Sequence, residues 1–201
     1  MTTTAEAGAK MKRPSVLLVA GLLALLAALV AGGAGVLVRY QPLRTGSSSQ
    51  SPQGSKGVDS TDSSDGRTTY LVQYQDGRTA SYGFSIRNDG RWGITVVGFG
   101  GSEQTGGLLD HFVYRMSDTG FTVDEGAFKP FALGPGKERS IIVMATFANC
   151  ESYIALAGVI YDHVTVRYKT LGIERTTEVP FGIKVEVVSP ANANCPRPRA
   201  A

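Results

Sequence analysis

An antiparallel β-sandwich of about seven to nine strands over residues 70–190, preceded by one transmembrane helix and a disordered linker, is the architecture this sequence predicts. Three observations carry it. From residue 70 onward, apolar and polar residues alternate with a period of two. Turn dipeptides break that alternation at short intervals. Residues 15–38 contain no charged residue, whereas residues 45–66 contain a single sizeable apolar one, Val58.

The chain of 201 residues has room for one ordinary domain plus appendages. Residues 1–14 form a tail too short to fold, carrying Lys10, Lys12 and Arg13. Residues 15–38 follow, 24 in number, and as a helix they would span roughly 36 Å. A bilayer core of about 30 Å needs around 20 apolar residues, and only a helix satisfies its own backbone groups there. Arg39 and Arg44 flank the far side. The basic asymmetry places the N-terminus in the cytoplasm and the rest of the chain outside, at the cell membrane. The rival reading is a cleavable signal peptide, with small residues Ala31, Gly32, Gly33 and Ala34 as its cleavage site. Against it, Val36, Leu37 and Val38 prolong the apolar run past that point. Ala20, Ala24, Ala28 and Gly32 recur every fourth residue, a small-residue stripe through which two such helices could associate.

Residues 39–69 hold Ser47, Ser48, Ser49, Pro52, Gly54, Gly57 and an acidic-serine run at 59–65. Such composition buries too little apolar surface to offset ordering entropy, so it is expected to be a disordered spacer. A flexible coil of this length has ends roughly 30 Å apart.

Strands are expected at 70–75, 79–88, 92–99, 110–116, 121–123, 139–147, 154–157, 163–170 and 173–188, the last with a break allowed at Pro180. Tyr82, Phe84 and Ile86 form one inward set; Val164, Val166 and Tyr168 form a second. Phe181, Ile183, Val185 and Val187 make a third. Residues 141–147 are apolar on both faces and are placed centrally. Turns are expected at Asp76-Gly77, Asn88-Asp89-Gly90, Gly134-Pro135-Gly136 and Leu171-Gly172, the first two with hairpin chemistry. No convincing amphipathic helix interrupts the pattern, which points to a sandwich.

Residues 191–201 form a Pro/Arg tail. Cys150 and Cys195 are the chain's two cysteines, both outside the membrane on this reading. In an oxidising compartment they are expected to pair and tether the tail. The closed loop of about 45 residues would contribute around 4 kcal/mol on the chain-entropy model. Two free thiols or an intermolecular bond are the alternatives.

The net charge of +3 is unevenly distributed: residues 70–190 carry 11 Lys/Arg against 13 Asp/Glu, a net of −2. Nucleic-acid binding needs cations clustered on the folded face, so that class is excluded. Catalytic signals are sparse. His111 and His163 each follow an aspartate, Asp110 and Asp162. Adjacent strand residues point to opposite faces, so neither pair is expected to act as a dyad. If their strands were neighbours, the histidines could meet with carboxylates, and that is the alternative reading: an enzyme or metal-binding protein around His111 and His163. Metal-ligand spacing is missing, as is the sulfur a copper carrier needs beyond Met116 and Met144. No cofactor is expected. The run 98–107 lacks the Gly-Lys-Ser/Thr ending of a phosphate loop and the pattern of a nucleophile elbow. It is expected to be a long loop, with Gly100, Gly101, Ser102, Glu103, Gln104 and Thr105 as a candidate partner-binding surface. Asp124, Glu125 and Glu103 supply carboxylates without calcium-loop spacing.

One resemblance adds to this. The run from Phe84 to Gly98 (FSIRNDGRWGITVVG) and the turn from Pro130 to Gly136 (PFALGPG) resemble immunoglobulin-like domains of the hydin/ASPM/SPD-2 type. In layout the whole chain also resembles single-pass membrane proteins of actinobacteria. What the resemblance implies is a fold; it carries over no activity and no functional residue. The expected role is a non-enzymatic binding, adhesion or accessory scaffold module, meeting a protein or cell-envelope ligand outside the membrane.

Overall fold

The computed structural model describes residues 21, 23, 25, 40–54, 58–62, 65–100 and 106–191. The chain divides into two units, residues 1–40 and 41–201. Within the first, Gly21, Leu23 and Leu25 are helical. The remainder of the expected transmembrane segment and the tail before it lie outside the described residues, as do Cys195 and the rest of the C-terminal tail. Among the described residues, no helix is long and apolar enough to cross a membrane.

The second unit is nearly all β and sandwich-like. Its strands are β1 (Leu43–Gln53), β2 (Val58–Asp62), β3 (Thr68–Gln73), β4 (Thr79–Asn88), β5 (Ile94–Phe99), β6 (Leu109–Ser117), β7 (Asp124–Ala127), β8 (Phe131–Leu133), β9 (Glu138–Phe147), β10 (Gly158–Thr170) and β11 (Ile173–Val188). A five-stranded sheet runs β1-β4-β9-β6-β7, and a six-stranded one runs β2-β3-β11-β10-β5-β8. Every pairing is antiparallel except β3 with β11.

One core lies between the sheets. The three inward sets expected from alternation, Tyr82/Phe84/Ile86, Val164/Val166/Tyr168 and Phe181/Ile183/Val185/Val187, are all buried in it. Rings interlock across the gap: Phe181 of β11 meets Phe84 of β4 at 4.8 Å and Tyr82 at 5.4 Å, while Phe99 of β5 stacks on Tyr114 of β6 at 4.9 Å. Offset and edge arrangements of this kind add to the area they bury. Strand β9 sits third of five, as its two-sided apolar pattern requires.

The expected disordered linker is corrected by this fold. Residues 43–53 form an edge strand on β4, and residues 58–62 form another on β3. Both strands need little apolar side-chain surface, because an edge strand is held by backbone hydrogen bonds and by whatever grips its one exposed ladder. Leu43, 1 % exposed and part of the core, anchors one end of β1, and Pro52 is buried at the other. Between them Glu138 accepts hydrogen bonds from the Ser47 amide at 2.8 Å and its hydroxyl at 3.1 Å. The hydroxyl of Ser85 accepts from the Ser48 amide at 2.9 Å and donates to the Ser48 carbonyl at 2.7 Å. The folded unit therefore begins at Gln41 rather than at residue 70.

Three further expectations are corrected. Residues 121–123 are loop, not strand: the Asp118 carboxylate takes the amides of Thr122 at 2.7 Å and Val123 at 3.0 Å, competing with a ladder. Residues 154–157 are a turn, with Leu156 at a positive φ of 60°. The turns at Asp76-Gly77 and Asn88-Asp89-Gly90 form, but each carries the chain from one sheet to the other and neither makes a hairpin. Strand β8 was not foreseen; its three residues pair with Ile94, Thr95 and Val96 of β5.

Candidate functional site

Two places gather the residues that carry chemistry. The first is a bulge in the six-stranded sheet. Between the pairs Tyr161–Val185 and His163–Pro180, residues 181–184 of β11 stand against Asp162 alone. Gly182, at φ 81°, absorbs the bend. The distortion turns Asp162 and His163 toward each other, and His163 Nδ1 lies 2.7 Å from Asp162 Oδ1. The expectation that these neighbours point apart is thus corrected, since strict alternation fails inside a bulge. Asp162 also faces the Arg67 guanidinium at 3.4 Å, which binds Asp65 at 2.9 Å, and Lys184 closes the chain on Asp65 at 2.9 Å. Hydrogen bonds from Lys184 and then Arg67 hold the Asp65 carboxyl well below the usual range. Opposite charges alternate along this row and neutralise one another, the arrangement of a surface ion-pair network.

His111 stands on the other sheet, in a second bulge of β6, at φ 53° with its amide on Asp110 Oδ1 at 2.7 Å. Thr79, Arg115 and Met144 line the shallow depression around it. The two histidines therefore occupy different sheets and do not form the shared cleft that a catalytic or metal reading needs. Among the described residues, no group of three or more His, Cys, Asp or Glu could hold a metal ion. Met116 lies in the core, away from a ligand role. Asp124 and Glu125 are taken up in ion pairs with Arg115 and Arg139.

The second place is one end of the sandwich, where the turn 75–78, residues 106–108, the loop 148–157 and the chain after β11 come together. Gly100 starts its loop with the amide on the Thr165 carbonyl at 2.7 Å, and its own carbonyl accepts from Tyr114 at 2.9 Å. Gly101, Ser102, Glu103, Gln104 and Thr105 lie outside the described residues. Where the loop returns, Tyr153 donates to the Gly106 carbonyl at 2.8 Å and Asn149 to that of Gly107 at 3.0 Å. The loop picked out by sequence is thus fastened at both ends, the second time to residues 149–153.

That neighbouring segment opens with a 3-10 turn, Cys150–Ser152, in which Cys150 is buried. No free cysteine occurs among the described residues. Beyond it, the buried Ser189 hydroxyl donates to the Ile154 carbonyl at 2.6 Å and accepts from the Ala157 amide at 2.9 Å. The Ser189 amide adds a third bond, to the Ala157 carbonyl at 2.9 Å. Held this way, the turn presents Ile154 at 81 % exposure and Leu156 at 64 %. Sequence reasoning missed both as surface residues, because a short apolar run reads equally well as strand; the positive φ at Leu156 leaves no local signature in a leucine. Beneath the loops, Tyr161 accepts the Leu109 amide at 2.7 Å, and burial drives its hydroxyl pKa upward.

No protein-family model matches the chain, nor does any curated protein. Among solved structures, the VesB protease of Vibrio cholerae overlaps 65 % of this chain at TM-score 0.33 and 9 % identity; the chain spans 31 % of that protease. The apo PCuAC domain from PmoF1 overlaps 70 % of this chain and 93 % of its own at TM-score 0.32 and 12 % identity. Overlaps at this level carry no argument about fold or activity.

Proposed function

We propose that the chain is a membrane-attached, extracytoplasmic, immunoglobulin-like module that binds a protein or cell-envelope ligand without enzymatic activity, through the loop end formed by residues 106–107 and 149–157. The observation that carries this reading is the pair Ile154 and Leu156, exposed on a turn that Ser189 makes rigid. Two large apolar side chains held out in water by hydrogen bonds to the buried Ser189, one of them on left-handed backbone, are costly to folding and suited to recognition. Two packed, mostly antiparallel sheets support the immunoglobulin-like part. Residues 15–38 supply the attachment and Cys150–Cys195 the tether of the tail, both on the sequence argument above; the lack of a free cysteine among the described residues supports the second.

Photo-crosslinking in membranes tests the surface. A crosslinker at Ile154 is expected to trap a discrete partner, whereas one at Val123, equally apolar but at the opposite end, is not. The partner should also disappear in the double variant Ile154→Ser, Leu156→Ser. Identical products from both positions, or survival in the double variant, would remove the loop end as the recognition surface.

A further inference from the structure

We propose that the β10–β11 hairpin tip, Leu171 with Ile173 beside it, inserts into the surface of an anionic lipid bilayer. The inference rests on the membrane attachment proposed above, and concerns the end of the sandwich opposite the recognition loops.

Thr170 pairs with Ile173, so Leu171 and Gly172 form a two-residue hairpin loop. Both have positive φ, 49° and 80°. That primed geometry selects Asn, Asp or Gly at its first position, because a side chain on left-handed backbone crowds the neighbouring carbonyl. Here the position holds a leucine, 57 % exposed, and Ile173 is 45 % exposed. Neither the turn nor the core calls for a leucine at this point. An apolar medium outside the protein does.

The occupant is argued from what shares this end. The chain enters the folded unit here: the Asp89 amide bonds the Pro42 carbonyl at 2.9 Å. The buried Asn88 side chain ties the loop 89–93 to β8 through the carbonyls of Trp92 and Leu133, both at 2.9 Å. Lys169 pairs with Thr95, which sets the hairpin beside the strand that leaves that loop. In the sequence only residues 39–42 separate the apolar run from β1, so the polypeptide reaching this end comes from the segment proposed to cross the bilayer. Charge is partitioned the same way. Segments 87–93, 118–125, 134–137 and 167–175 carry six Lys/Arg against five Asp/Glu; segments 75–78, 106–111 and 148–157, at the other end, carry one against three. Trp92, the chain's single tryptophan, lies at this end with the Arg91 guanidinium 6.0 Å from its ring centre. An apolar tip bordered by Arg167 and Lys169, which share Glu174 at 3.8 and 3.6 Å, and by Arg91 beside an indole, fits a headgroup and acyl boundary.

The test uses the full chain in vesicles of phosphatidylcholine and phosphatidylglycerol, with and without bromine on the acyl chains. One variant combines Trp92→Phe with Leu171→Trp, another Trp92→Phe with Ile154→Trp. The Leu171→Trp probe is expected to be quenched by bromolipid and to emit further to the blue; the Ile154→Trp probe keeps its intensity. Equal quenching of both probes, or none of the first, overturns the insertion, and the second of those results is what a protein occupant would give. If Leu171→Trp does not fold, Ile173→Trp takes its place with the same expectations. An alkaline carbonate wash reads the attachment separately: release of the chain from the vesicles rejects the transmembrane anchor whatever the quenching shows.

Discussion

The carboxylate of Glu138 stands where a side chain on Gly46 would have to go. A Cβ built on Gly46 falls 2.5 Å from Glu138 Oε1 and closer still to the Ser85 hydroxyl. The absence of a side chain at 46 lets β1 approach near enough for Glu138 to take the Ser47 amide and hydroxyl. Gly46→Ala is therefore expected to loosen β1 from β4 at a cost of about 1–3 kcal/mol, the range for overpacking. Hydrogen exchange checks it: amides of residues 43–53 should speed up while those of β10 stay protected. Uniform exchange in variant and parent would contradict the close approach.

Glu138 makes the same contact sensitive to acid. Burial works to raise its carboxyl pKa, but the polar Ser85 hydroxyl beside it and the hydrogen bonds donated by Ser47 outweigh burial and hold it below the usual glutamate value. A pKa lower in the folded than in the unfolded state gives stability that is complete above the unfolded value and is lost as pH falls through the folded one. The β1 contact is thus expected to persist at neutral pH and weaken below about pH 4, near the unfolded glutamate pKa. Glu138→Gln should flatten that dependence in pH-resolved denaturation. An unchanged profile in the variant would assign the acid response elsewhere.

Asn88 is expected to be the costliest polar residue to replace. Its buried amide nitrogen serves the carbonyls of Trp92 and Leu133, and its oxygen accepts the Gly90 amide at 2.9 Å. Asn88→Ala leaves the buried Leu133 carbonyl without its partner and removes two part-buried bonds, at about 2–4 kcal/mol in total. Chemical denaturation gives the value, and a loss under about 0.5 kcal/mol, the level of an ordinary surface substitution, would show that the three bonds do not hold the loop.

Cys150 carries a fourth prediction. Alkylation of the unreduced chain should label no thiol, and reduction should expose two. Reduction is further expected to raise proteolysis near residues 149–157 before any elsewhere, since Cys150 opens that turn. Labelling of both cysteines without reductant would refute the pairing.

The inward faces of β4, β10 and β11 were legible because alternation records burial directly, one residue at a time. The expected bounds 79–88 and 173–188 coincide with β4 and β11 for the same reason. The edge strand β1 was not legible. Its serines and glycines carry no hydrophobic signal, and what holds it are a carboxylate 92 positions from Gly46 and a hydroxyl 37 positions from Ser48. The candidate site divides similarly: the glycine-rich loop was visible in composition, whereas Ile154, Leu156 and the bracing Ser189 were not.

By itself, then, the sequence determined an all-β domain, the faces its main strands bury, the apolar run before it and where the chain turns. Only the tertiary structure decided that the domain starts at Gln41, that Asp162 and His163 meet, and that the histidines lie on separate sheets. The physical reason is range. Periodicity and turn chemistry act between near neighbours, whereas strand partners, bulges and the packing of small residues depend on backbone groups brought together from distant parts of the chain.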